Sequence, residues 1–261
     1  MKAPYYPIQI PYVLSKEFSK AICYTEDIIA DLNDFVICVW KMSSRLNEPS
    51  IVTNHVIVAD GCIDLVADFR YKEIGFAGMS KTKFGDKIKI PSLYIGARLK
   101  AGAFQVITGL DASVAMDNFL PLSKVYKGFN QKNFFEEDES AAKEKFIELL
   151  KNLIKDKIPN EYITLFDKLY SDLPDTTKKL YDKIGYSPKQ CQRLFDKHFG
   201  LTPQMVLSVL RFQKCLSVLV GGESNPSEAL EQVNYYDQAH FANDFKKHIG
   251  ITPTDLIKLY K

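Results

Sequence analysis

Residues 186–203 (YSPKQCQRLFDKHFGLTP) and 236–253 (YDQAHFANDFKKHIGITP) are two copies of one unit, with seven of eighteen positions identical. The matches are Tyr186/Tyr236, Phe195/Phe245, Lys197/Lys247, His198/His248, Gly200/Gly250, Thr202/Thr252 and Pro203/Pro253. A unit written twice must fold twice in the same way. A tandem of only two predicts a bipartite binding module instead of a solenoid.

Each copy parses alike. Ser187 or Asp237 stands as N-cap of a short helix whose apolar side is Cys191, Leu194 and Phe195, or Phe241 and Phe245, and Gly200 or Gly250 closes it. Thr202 and Thr252 then cap a following helix with Pro203 or Pro253 at its first position. Upstream lie two further short amphipathic stretches, residues 176–186 and 226–236, with Gly185 and Asn234 where the chain must turn tightly. Helix, tight turn and capped helix is the helix-turn-helix arrangement, whose second helix enters the DNA major groove. His198 and His248 precede the closing glycines, which suggests helix capping or a phosphate contact.

Between the copies, residues 203–220 (PQMVLSVLRFQKCLSVLV) are apolar at helical spacing and end at Gly221 and Gly222. One continuous helix is expected there, roughly 27 Å long at ~1.5 Å per residue. With its flanks it could hold two recognition helices about one DNA turn, ~34 Å, apart. A single chain would then imitate a dimer of helix-turn-helix units.

Residues 176–261 resemble the DNA-binding domain of the AraC/XylS family of transcription regulators. The resemblance rests on Tyr235, Tyr236, Asp237, Gln238, Ala239, His240 and Phe241, on the closing GITP, and on Arg211 within LRFQKCL. Carried over by position, it implies base-reading residues Lys189, Gln192 and Arg193, with Gln190 beside them, and Gln238, Ala239, His240 and Asn243 in the second copy. Arg and Lys address guanine edges, and Gln or Asn address adenine. The second copy departs from the family in having Asn243 where Arg is common, with acidic Asp244 beside it. The first unit is therefore expected to dominate affinity.

The first half of the chain differs in character. Short β-rich runs (FVICVW, HVIVA, CIDLVADF, YIGAR, FQVITG) are separated by Asp60-Gly61, Gly75, Gly85-Asp86 and Pro91, which reads as antiparallel strands and turns. The runs ADGCIDLV (59–66), IGARLKAGAF (95–104) and Leu120-Pro121-Leu122 resemble the cupin-related, sensor-like domain attached to one subgroup of AraC-type regulators. The fold expected is α+β: an N-terminal antiparallel β barrel or sandwich, cupin-like, then linker helices and an all-α double helix-turn-helix domain. The divisions expected are 1–125, 126–175 and 176–261.

In the family such β-rich domains bind effectors, dimerise, or do both. Trp40, Phe69, Tyr71, Phe76, Tyr94, Arg98 and Phe104 are the candidates for a ligand pocket, since mixed aromatics with one Arg suit a small anion. The acidic stretch 128–140 reads as a linker or helix entry. It leads into residues 140–158, a helix with Phe146, Leu149, Leu150 and Leu153 on one side. That face packs either on residues 160–170 or on a second copy of the chain.

An enzyme is the main rival. Cupin metal sites need several histidines, yet residues 1–190 contain one, His55. Asp60, Asp64 and Asp68 read as turn and local polar residues, and neither a phosphate loop nor a nucleophile elbow appears. An alkyltransferase would need an activated cysteine. Cys23, Cys38, Cys62, Cys191 and Cys215 are scattered through mostly apolar runs and read as buried thiols in a reducing cytoplasm. No early apolar run follows a basic start, so neither export nor a membrane span is expected.

The net charge is +2 overall, but residues 176–261 carry 12 basic and 8 acidic side chains, which places positive excess on the repeat. The reading is a cytoplasmic, non-enzymatic, sequence-specific DNA-binding regulator without cofactor or metal. Its partner is double-stranded DNA, with RNA polymerase, a small-molecule effector and a homodimer partner as further candidates. The alternatives are an effector-free regulator controlled by partner proteins and an enzyme fused to a DNA module.

Overall fold

The computed structural model describes residues 4–9, 16–45, 52–79, 84–136, 139–220 and 238–260. Among the described residues, eight strands form in chain order: β1 (Ile22–Asp27), β2 (Val36–Ser44), β3 (Val52–Ile57), β4 (Asp64–Asp68), β5 (Glu73–Ala77), β6 (Phe84–Lys89), β7 (Leu93–Leu99) and β8 (Phe119–Pro121). Six make one antiparallel sheet in the order β1-β2-β7-β4-β5-β8, and β3 pairs with β6 in a second sheet.

Alternation along β7 decides what each face holds. Leu93, Ile95, Ala97 and Leu99 are buried on one side, while Tyr94, Gly96 and Arg98 point to the other. The antiparallel register puts Trp40 of β2 opposite Gly96, and a Cβ there would lie 2.2 Å from the indole. The glycine is therefore what lets Trp40 lie flat across the sheet.

Eleven helices are described: α1 (Lys16–Ala21), α2 (Ala103–Thr108), α3 (Leu122–Val125), α4 (Gln131–Phe135), α5 (Ala142–Ile154), α6 (Glu161–Ser171), α7 (Thr177–Ile184), α8 (Pro188–Phe199), α9 (Pro203–Val220), α10 (Gln238–Ile249) and α11 (Pro253–Tyr260). The run FQVITG, read above as a strand, lies in helix α2 instead. Gly102 (φ +90°) and Gly109 (φ +76°) turn the chain sharply at both ends, and Phe104 and Ile107 at helical spacing face the core. Its β-branched residues favour strands only where a pleated neighbour is at hand. The stretch 128–140, expected as a linker or helix entry, contains the short helix α4, whose Phe134 and Phe135 are buried.

The apolar face of α5 is settled: Phe146, Leu149 and Leu150 are buried within the chain. One continuous hydrophobic core runs from the β-sheet through α5 and α6 to Phe195, Phe199 and Leu207 of the helical region. Helix α8 lies against α2 and the 3-10 turn Ala112–Ala115. The approach is so close at Gly200 that a Cβ would sit 2.8 Å from the Ala112 carbonyl oxygen. A second core gathers Phe212, Cys215, Leu216 and Leu219 of α9 with Phe241, Phe245, Ile249 and Leu256, and Val58 of the β-rich region joins it. No described helix is long and apolar enough to cross a membrane.

Candidate nucleic-acid interface

The first repeat folds as a helix-turn-helix whose ends are fixed by the residues the sequence offers. The Thr176 hydroxyl accepts the Lys179 N–H, and Gly185 at φ +79° closes α7. Ser187 and Gln190 form a reciprocal capping box, with Pro188 at the first position of α8. Cys191, Phe195, His198 and Phe199 face inward, leaving Lys189, Gln190, Gln192 and Arg193 exposed. Gln190 is engaged locally: its Oε1 accepts the Ser187 N–H at 3.0 Å and the hydroxyl at 2.7 Å. Its chief structural work is at the helix start, so three side chains of α8, Lys189, Gln192 and Arg193, are left uncommitted to the cap.

In the second repeat Phe241, Phe245, His248 and Ile249 are buried and Asn243 is exposed. The backbone of Gln238, Ala239 and His240 forms the first turn of α10, and their side chains lie outside the described residues. Residues 226–236, expected to supply the first helix of this unit, also lie outside them, as do Gly221 and Gly222. Asp244 does not sit on the reading face, which removes one of the two grounds for ranking the second unit lower and leaves the other, Asn243 in place of Arg. Its carboxylate accepts the Ser208 hydroxyl at 3.0 and 3.2 Å in the seam with α9, and that hydroxyl lies 2.8 Å from His248 Nε2.

The paired histidines are core residues. His198 stacks on Tyr162 of α6 with centroids 3.7 Å apart and planes 9° from parallel, and His248 stacks on Phe212 at 5.0 Å. Burial pulls both down to about 4, so each is neutral at neutral pH and neither offers a phosphate a positive charge. Arg211 of α9 donates to the Asp175 carbonyl at 2.5 Å, tying the helix to the chain just before α7.

The seven residues proposed for a ligand pocket do not share one site. Phe76 and Phe104 meet edge to face at 5.1 Å in the core on one side of the sheet. Phe69 packs on Phe134 and Phe135, and Tyr71 is 56% exposed in the turn after β4. Trp40, Tyr94 and Arg98 share the opposite sheet face, because strand alternation separates them from Phe76.

Arg98 is not poised for an anion. Its guanidinium lies 3.1 Å from Glu26, 3.5 Å from Asp60 and 3.8 Å from Asp64, so carboxylates outnumber it. Trp40 Nε1 donates to Asp64 at 2.7 Å, and the hydroxyls of Tyr24 and Tyr6 donate to Glu26 at 2.6 and 2.5 Å. Burial pushes Asp64 up to about 7 against the pull of Arg98. Burial also raises Glu26, but Arg98 and the two phenols more than offset it and leave that carboxyl below its ordinary value. Cys38 lies 3.9 Å from Arg98, yet burial outweighs the cation and pushes the thiol up to about 12. Cys62 is raised by burial as well, so neither is an activated nucleophile.

Asp60 links this cluster to the helical region. Its Oδ1 accepts the Cys62 N–H at 2.9 Å, and its Oδ2 accepts Gln9 Nε2 at 2.8 Å. The Tyr5 hydroxyl donates to the Asp60 carbonyl at 2.7 Å, while the Tyr5 N–H donates to Asp167 of α6 at 2.8 Å. Buried Gln213 of α9 accepts the Ile8 N–H at 2.8 Å and donates to the Ala59 carbonyl at 2.9 Å. Sequence reasoning missed Gln213, although a lone amide on the apolar side of a helix is a signal that a buried partner exists.

Residues 180–258 match the family model described as Helix-turn-helix domain, and residues 29–121 match one described as Domain of unknown function (DUF6597). Residues 180–258 thus carry an AraC-type helix-turn-helix domain. That domain makes the chain a DNA-binding transcription regulator. Among solved structures, the chain is similar to the C-terminal domain of AraT, a response regulator from Geobacillus stearothermophilus, at 26% identity over 36% of this chain and 78% of that one, with a TM-score of 0.32. It is also similar to ToxT from Vibrio cholerae, at 12% identity over 92% and 98% of the two chains, with a TM-score of 0.41. No curated protein matches the chain.

Proposed function

We propose that one chain reads DNA with α8 and α10 in successive major grooves, held by α9, and that the β-rich region governs this by sensing a small molecule or by pairing with a second copy. The observation that carries the reading is the duplicated design. Each unit buries its Phe pair and histidine and leaves polar side chains outward, Lys189, Gln192 and Arg193 on α8 and Asn243 on α10. On this reading Gln238, Ala239 and His240 complete the second reading face, and Gln190 contributes through the cap it stabilises. The packing of α8 on the β-rich region through Ala112, and on α6 through Tyr162 and Phe166, the last of which meets Gly61, supports a regulatory role, since a shift of that region moves the first recognition helix with it. The regulator acts in the cytoplasm, on promoter DNA and alongside RNA polymerase. Arg193→Ala is expected to weaken specific binding by ~1–3 kcal/mol and to relax preference at one base pair, measured by titration against a selected site. Unchanged affinity and unchanged preference would overturn the assignment of α8.

A further inference from the structure

The sheet face opposite Arg98 carries a feature that DNA reading does not use. At the ends of β2, β7 and β4 a groove of about 580 Å³ opens, lined by Lys41, Arg70, four serines, Phe69, Leu93 and Pro91. Its volume falls within the ~300–1,000 Å³ of small-molecule sites. Lys41 is unusual for its place. It alternates with fully buried Val39 on the core-facing side of β2, is itself half-buried, and has no hydrogen-bond or ion-pair partner among the described residues. Its ammonium has no counter-charge among the described residues, and an arriving anion would supply one through a charge-assisted hydrogen bond.

The other lining groups agree with an anion. Arg70 donates one side-chain bond, at 2.8 Å, to the Pro91 carbonyl, and no carboxylate lines the groove among the described residues. A guanidinium held by a single such bond keeps further N–H donors for a carboxylate or phosphate. Ser92 and Ser44 are bonded to each other at 3.2 Å, and Ser43 and Ser140 add hydroxyls on the walls. Phe69 and Leu93 supply an apolar surface beside the charges.

We propose that this groove binds a small organic anion, a carboxylate or phosphate ester with an aromatic or short apolar body, with Lys41 and Arg70 holding the charge and Phe69 and Leu93 the body. Ser140 lies in the turn leading into α5, whose Phe146, Leu149 and Leu150 share a core with α8. A ligand's effect on DNA binding rests on the regulatory reading above, whereas binding at the groove does not.

The test is calorimetric titration of the full chain with phenyl phosphate and with benzoate, using inorganic phosphate and benzyl alcohol as controls. Saturable binding of at least one aromatic anion is expected, with a Kd at or below about 1 mM, and both controls weaker. The tighter of the two anions assigns the headgroup. Lys41→Gln should weaken binding about tenfold or more, one charge-assisted contact, Arg70→Gln should also weaken it, and Lys41→Arg should restore it. Thermal melting and DNA affinity without ligand should match the unaltered chain, which separates this outcome from misfolding and from failure of the DNA-reading assignment. Equal binding of benzyl alcohol, indifference to both charge-removing variants, or no saturable binding would overturn the proposal. Saturation only after Glu137→Gln and Asp138→Asn would assign the groove to the chain's own acidic stretch and overturn it too. Binding that leaves DNA affinity unchanged would keep the site and remove its regulatory role.

Discussion

At the residue scale, two kinds of side chain hold the protein together: those that end helices, and those that meet across the fold around Arg98. Thr176, Ser187, Gly185 and Gly200 act through partners a few residues away, so spacing alone reveals them. Glu26, Asp60 and Asp64 gather on Arg98 from different strands and a turn, and only the register of β1, β2, β4 and β7 joins them. The same holds for Asp244, which looked like a charge on the reading face and instead accepts Ser208. Asp244→Ala should therefore destabilise the fold by about 1–3 kcal/mol, the loss of a hydrogen bond to a charged group, and leave sequence preference at the second half-site unchanged. Denaturant titration beside DNA titration checks this, and lost affinity at full stability would return Asp244 to the interface.

At the element scale, strand against helix was decided by surroundings that the text does not contain. FQVITG has strand-type residues, but the glycines at both of its ends isolate it from the sheet and it coils into α2. Helix α9 was legible from its apolar spacing, while its tie to the β-rich region was hidden in one amide. Gln213 bonds to both Ile8 and Ala59, so it fastens α9 to two separate segments. Gln213→Leu keeps the volume and strands both backbone groups. A loss of about 1–3 kcal/mol in denaturant unfolding is expected, and an unchanged midpoint would show that the tie contributes nothing.

At the scale of the whole molecule, the two halves share a core, so their ionisable groups report on one folding unit. His198 and His248 sit at about 4 when folded against an ordinary 6.5. The unfolded chain therefore takes up protons first, and these groups lower stability as pH falls from 6.5 toward 4. Asp64 works in the opposite sense: at about 7 against an ordinary 3.8, it holds a proton in the folded chain that the unfolded chain has lost, so its contribution falls as pH rises through that window. Thermal melts across pH 4 to 7.5 should show a shallower acid loss in His198→Phe and a steeper one in Asp64→Asn. Identical profiles would contradict these burial effects. The shared core also makes the full chain the proper reagent for DNA work, since removing residues 1–175 would bare Phe199, which packs on Phe166, and Gly200, which packs on Ala112. The most direct test of bipartite reading is selection of bound DNA from a random pool by the full chain, by Arg193→Ala and by Asn243→Ala. Two unlike elements about one turn, ~10 bp, apart are predicted, with each substitution relaxing one element and sparing the other. A single element, or two identical ones degraded together by either substitution, would contradict the account.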